Sequence, residues 1–535
     1  MSKNLTELSA RNGLKHNLFE QLATTEADAS EISKEFLIGT ASVAGTVSFY
    51  DFLKDENKNK KIYICNGSAC LCAGTQDKLS TQLTKYFNKS EIGHMTCLGR
   101  CHESSAFQFQ DKNYSGLTSQ QLDAVITSNQ NNIAADTYHC GSIGKRVLTT
   151  DALEAEQFIH AFKEITQQKK QTLLVEIKRS SLRGRGGAGF PIGFKLEAAM
   201  NTTSAQKYII CNADEGDAGA YSDRYLLEQQ PLLVLFGIMV SAYIVGANYG
   251  ILYIRAEYPE AIKVIAKSIN ELKQLTDDMD FQFKIISAKG AYICGEETAL
   301  INSIEGQRPE VRVRPPFPTA VGLFNKPTVV NNVETLASLY AILTKGGDFY
   351  NQLGTNQSKG TKLLSLDSFF HKPGIYEVEM GTPLVQVFEQ LGGGFKQDIK
   401  AVQIGGPLGG IVPVKQFARL SIDFESFIDN GFLLGHASVV CIPKDFSMLK
   451  YLHHLFEFAA YESCGKCFPC RLGTKRGEEL LTNAIKSAKP IDRQLFTDLL
   501  DTLEQGSLCA HGGGIPLPVR NVLKYFADEL QQWFA

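Results

Sequence analysis

Short apolar segments alternate with longer amphipathic ones through the middle of the chain. The segments "KYIICNADEG", "GILYIRAEY" and "FQFKIISAKG" each carry a run of β-branched and aromatic residues and are predicted to be strands. Between the second and third lies "EAIKVIAKSINELKQL", which repeats apolar residues at helical spacing. Because strands that alternate with helices build mainly parallel sheets, this region is predicted to be an α/β domain.

The most apolar stretch, Pro231 to Gly250, has the length of a membrane span. It nevertheless carries Ser241, Tyr243 and Asn248, and the strand predicted after it continues the α/β pattern. We therefore expect a helix buried in the core, and the protein is not expected to be an integral membrane protein.

Changes in composition and in the pattern of apolar residues along the chain set the predicted domain boundaries. The N-terminal part is polar and helix-like, and the apolar "IYIC" then runs straight into cysteines. Gly-rich short strands begin near Pro373, and the chain becomes helical again after Pro443. The predicted units are 1–60 (helical), 61–127 (first cysteine domain), 128–150 (an Asn-, Thr- and Ser-rich linker), 151–372 (α/β), 373–442 (small α+β) and 443–535 (helical, second cysteine domain).

Composition limits the classes of partner. The chain has 54 basic and 57 acidic residues and a net charge of −3, which gives no general reason to bind nucleic acid or an anionic membrane. Its N-terminus has no apolar run of signal-peptide length. Thirteen cysteines in a chain without an export signal indicate reduced thiols and metal ligation. We expect a cytoplasmic protein whose partners are proteins and small molecules.

The segment "ESCGKCFPC" places three cysteines in one C-x2-C-x2-C motif. Cys464, Cys467 and Cys470 are followed by a single further cysteine, Cys509, which is the natural fourth ligand. This spacing suits a cubane [4Fe-4S] cluster, whose corners need thiolates in three dimensions. A four-cysteine zinc site is the alternative, although zinc sites usually pair two C-x2-C knuckles. Unligated structural cysteines are a third interpretation.

A second cysteine quartet lies near the N-terminus. Cys65 and Cys70 form C-x4-C, and Cys97 and Cys101 form C-x3-C. Two pairs held on two loops fit a planar [2Fe-2S] cluster with two thiolates on each iron. Zinc is again the alternative. The other cysteines are interpreted as small buried hydrophobic residues or free thiols.

Glycine-rich and acidic loops carry the remaining candidate chemistry. "GRGGAGFPIG" contains a literal G-x-G-x-x-G, but the segment before it is predicted to be a helix rather than the strand that a dinucleotide-binding turn requires. Backbone without side chains can still approach a planar ring or a phosphate. "CNADEGDAGAYSDR" and "GAYICGEETALINSIEG" are both interpreted as a strand leading into acids and a helix, and "KPTVVNNVET" adds paired amides. Converging loops of this kind would form one nucleotide-sized pocket; structural or solvated loops and a divalent cation site are the alternatives.

These motifs in this order resemble a known family. From about Thr150 to the C-terminus the chain resembles the NADH-binding flavoprotein subunit shared by respiratory complex I, NAD-reducing hydrogenases and NAD-dependent molybdenum or tungsten formate dehydrogenases. Residues 61–127 resemble the thioredoxin-like [2Fe-2S] subunit that complex I keeps on a separate chain. With both fused, and with "FAAYESCGKCFPCR" and "LCAHGGGIPLPV", the chain looks most similar to the diaphorase (beta) subunits of soluble formate dehydrogenases.

The resemblance implies a multidomain α/β fold and a set of cofactors. The implied fold has a thioredoxin-like [2Fe-2S] domain, a Rossmann-like FMN- and NADH-binding domain with a mainly parallel sheet, a small ubiquitin-like α+β domain and a helical [4Fe-4S] domain. The implied cofactors are therefore FMN, NAD(H), a [4Fe-4S] cluster and a [2Fe-2S] cluster. NADH would stack over FMN between Phe190 and Phe317, with Glu297 near the nicotinamide amide; Glu297 and Glu215 are the candidate catalytic residues. The implied cofactor-binding residues are Gly184, Arg185, Gly186, Gly187, Gly189, Phe190, Lys195, Asn212, Asp214, Glu215, Asp217, Gly295, Glu296, Glu297, Arg314, Phe317, Val330, Asn331, Asn332 and Thr335.

Two positions depart from the complex I pattern. Asp217 stands where those relatives usually have Glu, and Arg314 where they have Lys, and both bear on the nucleotide contacts. The segment "CHESSAFQF" also lacks the "GxAP" that usually follows the second cysteine pair.

The resemblance implies electron transfer as the function. NADH gives up two electrons as a hydride and an iron–sulfur cluster accepts one, so FMN would convert between them and the [4Fe-4S] cluster would pass electrons to a partner. The expected partner is the alpha subunit of a molybdenum or tungsten formate dehydrogenase. A hydrogenase module or a complex-I-like enzyme is the first alternative, and a non-catalytic scaffold with zinc in both quartets is an alternative of another class.

Overall fold

Three β-sheets organise the part of the chain that a computed structural model describes, which is residues 14, 18–24, 28–128 and 137–535. The strands are β1 (Ile62–Cys65), β2 (Ile92–Met95), β3 (Phe107–Phe109), β4 (Lys112–Tyr114), β5 (His139–Ile143), β6 (Tyr208–Ala213), β7 (Tyr249–Arg255), β8 (Gln282–Ala288), β9 (Thr328–Asn332), β10 (Thr361–Leu366), β11 (Gly374–Glu379), β12 (Ile399–Ile404), β13 (Gly410–Pro413) and β14 (Ser438–Pro443).

Helices lie around and between these sheets. Their bounds are Leu18–Thr24, Ala29–Phe36, Thr40–Val47, Ser68–Ala73, Gln76–Leu83, Ser119–Ser128, Ala155–Thr166, Lys170–Ser180, Ile192–Asn201, Ser222–Gln229, Pro231–Val245, Pro259–Glu271, Lys273–Asp278, Glu297–Ile304, Val333–Lys345, Gly347–Asn351, Leu384–Gln386, Phe424–Asp429, Met448–Tyr461, Phe468–Ser487, Arg493–Gly506, Ala510–Gly514, Pro516–Tyr525 and Ala527–Leu530.

The first sheet has the order β2-β1-β3-β4 and carries the N-terminal cysteines. β1 and β2 are parallel, and Cys65 at the end of β1 is paired with Met95 at the end of β2. Because carboxyl ends of parallel strands meet at one edge, the loop after β1 and the loop after β2 lie side by side. Each loop carries one of the predicted cysteine pairs.

The second sheet is the parallel sheet that the alternating pattern predicted. Its order is β8-β7-β6-β9, and every neighbouring pair of strands runs parallel. The helix Pro231–Val245 packs on one face and is buried along almost its whole length, as expected from its composition. Gly237 permits this contact, because a Cβ there would lie 2.1 Å from the carbonyl oxygen of Leu336 on the helix Val333–Lys345.

The other face of the parallel sheet is covered by the N-terminal helices. Side chains from the predicted helical segment 1–60, such as Phe19 and Val43, share a core with Tyr208 and Ile210 of β6. The hydroxyl of Tyr50 donates to Ser303 Oγ at 2.6 Å on the helix Glu297–Ile304. The described part of this segment therefore packs on the second sheet.

The third sheet is mixed, with the order β13-β12-β14-β10-β11-β5. It takes in β10, which begins before the boundary predicted at residue 373. It also takes in β5, which lies within the predicted linker 128–150 and pairs with β11; residues 129–136 of that linker lie outside the described residues. The carboxylate of Glu377 accepts the backbone N–H groups of 147–149, which fixes the end of this segment to the sheet.

Within the described ranges, no single helix is long and apolar enough to cross a membrane. The helices Ser222–Gln229 and Pro231–Val245 reach that length and composition only when taken together, and they meet at a bend of 93°.

Candidate functional site

The predicted loops lie at the carboxyl edge of the parallel sheet. Asn212 at the end of β6 is opposite Asn332 at the end of β9, so the acidic loop and the paired amides are neighbours. Asn212 Nδ2 donates to the carbonyl oxygen of Gly295 at 2.9 Å, which joins the acidic loop to the segment after β8. This edge is where ligands bind in open α/β sheets.

Two of the polar residues at this edge also begin helices. The side chain of Glu296 accepts the N–H groups of Thr298 and Ala299, and the side chain of Asn332 accepts those of Glu334 and Thr335. Such N-caps hold both side chains in fixed positions. The segment "GAYIC" before Glu296 was interpreted as a strand, which is wrong: residues Tyr292–Gly295 form a 3₁₀ turn, and the strand is β8.

The glycine-rich loop connects two helices and follows no strand, as expected from the sequence. Its ends are joined because Gly184 N–H donates to the carbonyl oxygen of Phe190 at 2.8 Å. Gly187 has a φ of 112°, a conformation that side chains disfavour. The N–H of Arg185 donates to Thr335 Oγ1 at 2.8 Å, which places the loop beside the end of β9.

A group of charged and aromatic side chains lines the open side. Glu297 lies between two cations, with Lys195 Nζ at 2.9 Å from one carboxylate oxygen and Arg314 Nη1 at 3.0 Å from the other. Lys195 also donates to the carbonyl oxygen of Val330 at 3.2 Å. The rings of Phe190 and Phe317 are 52% and 56% exposed, which is unusual for phenylalanine and leaves flat apolar faces available to a ligand.

The residues at this edge fit a bound nucleotide with a planar ring. The backbone conformation of Gly295 does not require glycine. A Cβ at this position would lie no closer than 3.8 Å to any atom, and the nearest atom is Asp214 Oδ2. Among the described residues, the buried Asn331 Nδ2 at the end of β9 has no hydrogen-bond partner. Buried polar groups are usually satisfied, so this donor at the sheet edge favours a ligand over packing. The Arg185 guanidinium is fully buried and instead donates to the Tyr350 hydroxyl and to the carbonyl oxygen of Lys359.

Buried acids lie beneath this surface. Burial raises the pKa of Asp214 well above its usual range and raises that of Asp217, whose Oδ1 accepts from the Tyr292 hydroxyl at 2.9 Å. Burial raises the pKa of Glu215 to about 8. Its two oxygens accept the N–H groups of Asp223 and Arg224 and the hydroxyl of Tyr258, so the carboxylate is held in place, which suits a positioning role.

One further residue reaches this group from the small α+β domain. His436 Nε2 lies 3.4 Å from Asp223 Oδ2 and 3.9 Å from Glu215 Oε1. Nothing in the sequence marks this residue, because "LLGHAS" has no motif and a single histidine gives no signal of what lies opposite it in the fold.

The C-terminal cysteines come together at the starts of two helices. Cys467 immediately precedes the helix Phe468–Ser487, and Cys509 immediately precedes the short helix Ala510–Gly514. Cys464 and Cys470 are buried, while the other two are partly exposed. Burial, and then the charge of the neighbouring thiolates, raises the pKa of Cys470 to about 12. Mutual repulsion of this kind fits a donor set that requires a cation.

The N-terminal cysteines are all buried. Cys97 Sγ lies 3.3 Å from Cys101 Sγ, and the N–H groups of Gly67 and Gly99 donate to Cys65 Sγ and Cys97 Sγ at 3.4 and 3.3 Å. Backbone donors to sulfur are a usual feature of iron–sulfur sites.

Comparison with known protein families gives three matches along the chain. The family described as "Nuo51 FMN-binding domain" matches residues 177–341. "NADH-ubiquinone oxidoreductase-F iron-sulfur binding region" matches 450–533, and "Thioredoxin-like [2Fe-2S] ferredoxin" matches 19–130. The cofactor classes expected from the sequence, FMN with a [4Fe-4S] and a [2Fe-2S] cluster, are confirmed by these domains.

Individual relatives extend over most of the chain. NAD-reducing hydrogenase HoxS subunit alpha of Cupriavidus necator is 32% identical over 526 residues, 91% of this chain and 85% of that protein. NADP-reducing hydrogenase subunit HndC of Solidesulfovibrio fructosivorans is 37% identical, covering 76% of this chain and 85% of that protein. A subunit of the NADH-quinone oxidoreductase of Escherichia coli is 35% identical, covering 69% of this chain and 86% of that protein.

A solved structure agrees with these relatives. A chain of the NAD+-reducing [NiFe]-hydrogenase in the H2-reduced state superposes with a TM-score of 0.86 and 28% identity, covering 98% of this chain and 93% of that one. The similarity therefore includes the fused N-terminal cysteine domain as well as the flavin domain.

Proposed function

Because this chain belongs to the family of NADH-binding FMN and iron–sulfur flavoprotein subunits, with a fused thioredoxin-like [2Fe-2S] domain, we propose that it is the diaphorase subunit of a larger complex. In that complex it exchanges electrons between NAD(H) and a second catalytic subunit. The observation that carries the proposal is the carboxyl edge of the parallel sheet, which combines open space at Gly295, the buried and unpartnered Asn331 Nδ2 and the exposed Phe190 and Phe317.

FMN would lie against the glycine-rich loop and the end of the sheet. Bound there, FMN supplies the conversion between a two-electron hydride and single electrons. The open space at Gly295 leaves room for a planar ring, and the unpartnered amide nitrogen of Asn331 suits its polar atoms. Lys195, Asn212 and Asn332 complete the set that holds the flavin.

NADH would bind over this surface between Phe190 and Phe317. Their exposed rings suit stacking on a planar base or nicotinamide. Glu297, oriented by Lys195 and Arg314, is a fixed acceptor for an amide NH2. The protein's contribution to hydride transfer is then the alignment of two rings.

The cysteine quartets are the proposed cluster ligands. Cys464, Cys467, Cys470 and Cys509 would bind the [4Fe-4S] cluster, and Cys65, Cys70, Cys97 and Cys101 the [2Fe-2S] cluster. Exposed apolar side chains flank the first quartet: Phe468 is 74% exposed, Leu472 61% and Leu508 45%. A contiguous group of this kind suits docking of a protein partner, so we place the exit for electrons there.

Two partners are candidates. The sequence motifs favour a molybdenum or tungsten formate dehydrogenase alpha subunit, while the relatives that extend over nearly the whole chain favour a nickel–iron hydrogenase module. In either case the chain would work within an assembly in the cytoplasm.

Purification of the tagged chain from its native cell, with metal analysis of what accompanies it, tests the proposal. Nickel in the complex supports the hydrogenase module, and molybdenum or tungsten supports the formate dehydrogenase. A preparation with zinc in both quartets and no flavin absorption would overturn the diaphorase assignment.

A further inference from the structure

A buried cluster of three ionisable side chains joins two domains behind the glycine-rich loop. Glu215 and Asp223 come from the loop and helix after β6, and His436 comes from the small α+β domain just before β14. His436 lies within 3.4 Å of Asp223 and 3.9 Å of Glu215, and all three are buried. Among the described residues, both imidazole nitrogens of His436 are buried without a hydrogen bond, and the ring's polar contacts are those with the two acids.

This cluster contacts the proposed flavin site directly. Asp223 Oδ2, the atom nearest His436, also accepts from Asn332 Nδ2 at 2.6 Å. A Cβ on Gly187 would have the backbone of Gly435 and His436 as its nearest neighbours, at 3.7 to 3.9 Å. The histidine therefore lies behind both the glycine-rich loop and the paired amides.

The surroundings favour a positively charged imidazole. Burial lowers the pKa of His436, but the neighbouring Asp223 outweighs burial, and the pKa is raised to about 9. Asp217 also faces the imidazole, and Lys362 on β10 opposes its charge. Without the histidine, the buried Asp223 carboxylate would have no cation opposite it.

We propose that His436 is a positioning residue of the flavin site, whose positive charge balances the Asp223 carboxylate and raises the reduction potential of FMN. This inference rests on the proposed function in requiring FMN at the glycine-rich loop. The charge acts through the acid pair and through Asn332. Because reduced flavin carries additional negative charge near neutral pH, a cation behind the loop stabilises the reduced form relative to the oxidised form.

The test replaces the charge while keeping a polar side chain. His436→Gln is compared with the wild type by spectroelectrochemical titration of FMN in the intact chain, together with FMN affinity of the flavin-free protein. We expect a more negative potential, such that the ratio of reduced to oxidised flavin at the wild-type midpoint falls about tenfold. Asp223→Asn alone is expected to shift the potential in the positive direction, because it removes a negative charge.

The double variant His436→Gln/Asp223→Asn identifies charge as the cause. It is expected to return the flavin ratio to within about threefold of the wild type, because the two changes share one interaction. His160→Gln, on the exposed side of the helix Ala155–Thr166, is the control and should leave the potential unchanged.

The possible results separate the two proposals. If His436→Gln binds FMN with an unaltered potential, or if Asp223→Asn shifts the potential in the same direction as His436→Gln, the role of His436 is wrong while the diaphorase function stands. If the wild type itself binds no FMN, the proposed function fails first. Should His436→Gln not fold, the sign of the shift in Asp223→Asn decides the matter.

Discussion

The two cysteine quartets occupy opposite environments. The four N-terminal cysteines are each at most 2% exposed and share a hydrophobic core with the flavin and small domains. The C-terminal quartet has two partly exposed members, next to the exposed ring of Phe468. Since electrons would have to leave the chain where a partner can approach, the greater exposure of the C-terminal quartet supports the proposal that the exit lies there.

The loops that carry the N-terminal quartet are instead hydrogen-bonded to residues in the interior of the protein. Arg255 at the end of β7 donates to the carbonyl oxygen of Glu215 on the acidic loop and to that of Thr96, the residue before Cys97, at 3.2 Å. The N–H of Ser368, two residues after β10 of the third sheet, donates to the carbonyl oxygen of Cys101 at 3.0 Å. In the proposed account, a cluster at this buried quartet would exchange electrons with the flavin side.

Removing one ligand from each quartet gives the largest expected contrast. Cys509→Ala should abolish the EPR signal of the reduced [4Fe-4S] cluster and lower NADH-driven reduction of the partner subunit by about 100-fold or more. Cys97→Ala should abolish only the [2Fe-2S] signal and leave partner reduction within about threefold of the wild type. Equal losses of partner reduction in the two variants would contradict the assignment of the exit.

Changing the surface beside the C-terminal quartet should weaken binding of the partner subunit without affecting NADH oxidation. Replacing Phe468 and Leu472 by Ser is expected to weaken partner binding by about 10- to 100-fold, because exposed apolar anchors dominate interfaces. NADH oxidation with a small artificial acceptor should be unchanged. Ile428→Ser, which removes an exposed apolar side chain on a different helix, is the control in the same binding titration. An equal loss in that control would contradict a specific docking site.

A single methyl group should separate folding from flavin binding. Gly295→Ala introduces a Cβ into space that no described side chain fills, so the thermal midpoint of the flavin-free protein should not change. FMN affinity should fall by about tenfold, equivalent to about 1.4 kcal/mol, if the ring occupies that space. Gly45→Ala, where a Cβ would also meet nothing within 4 Å, is the control. Unchanged affinity in Gly295→Ala would move the flavin elsewhere.

The buried acid pair predicts a smaller, pH-dependent effect. The folded-state pKa values of Glu215 and His436 are raised to about 8 and about 9, so both groups favour the folded state in their protonated forms. Glu215 contributes its full stability below its unfolded pKa near 4.5 and His436 below about 6.5, and these contributions are lost as pH rises through 8 and 9. The free energy of unfolding should therefore fall by about 1 to 3 kcal/mol between about pH 6.5 and 9.5. Urea denaturation measures it, and His436→Gln should reduce the slope.

The same contrast between regions shows what the sequence could predict. Local patterns of apolar residues predict the parallel sheet and the buried helix Pro231–Val245, and the structure contains both. The spacing of the cysteines predicts their grouping into two quartets. Strand β5 was predicted as linker because its five residues, "HCGSI", are mostly polar or small and pair only with β11 at one edge. Edge strands of this kind have little apolar signal.

Local sequence patterns do not predict contacts between segments that are far apart along the chain. His436 meets Glu215 only because the small domain packs against the flavin loop, and nothing near His436 in the sequence indicates that contact. The same holds for Arg255, whose two carbonyl partners lie in separate loops far from it along the chain. The N-terminal helices likewise cover the parallel sheet through tertiary packing alone.

Anaerobic titration of the purified, cluster-containing chain with NADH tests the central claim most directly. Visible and EPR spectra followed together should show flavin bleaching at about one NADH per flavin, with a reduced-cluster signal of the C-terminal quartet that appears in the wild type and is missing in Cys509→Ala. A chain that binds zinc in both quartets, shows no flavin absorption and leaves NADH unoxidised would contradict the account.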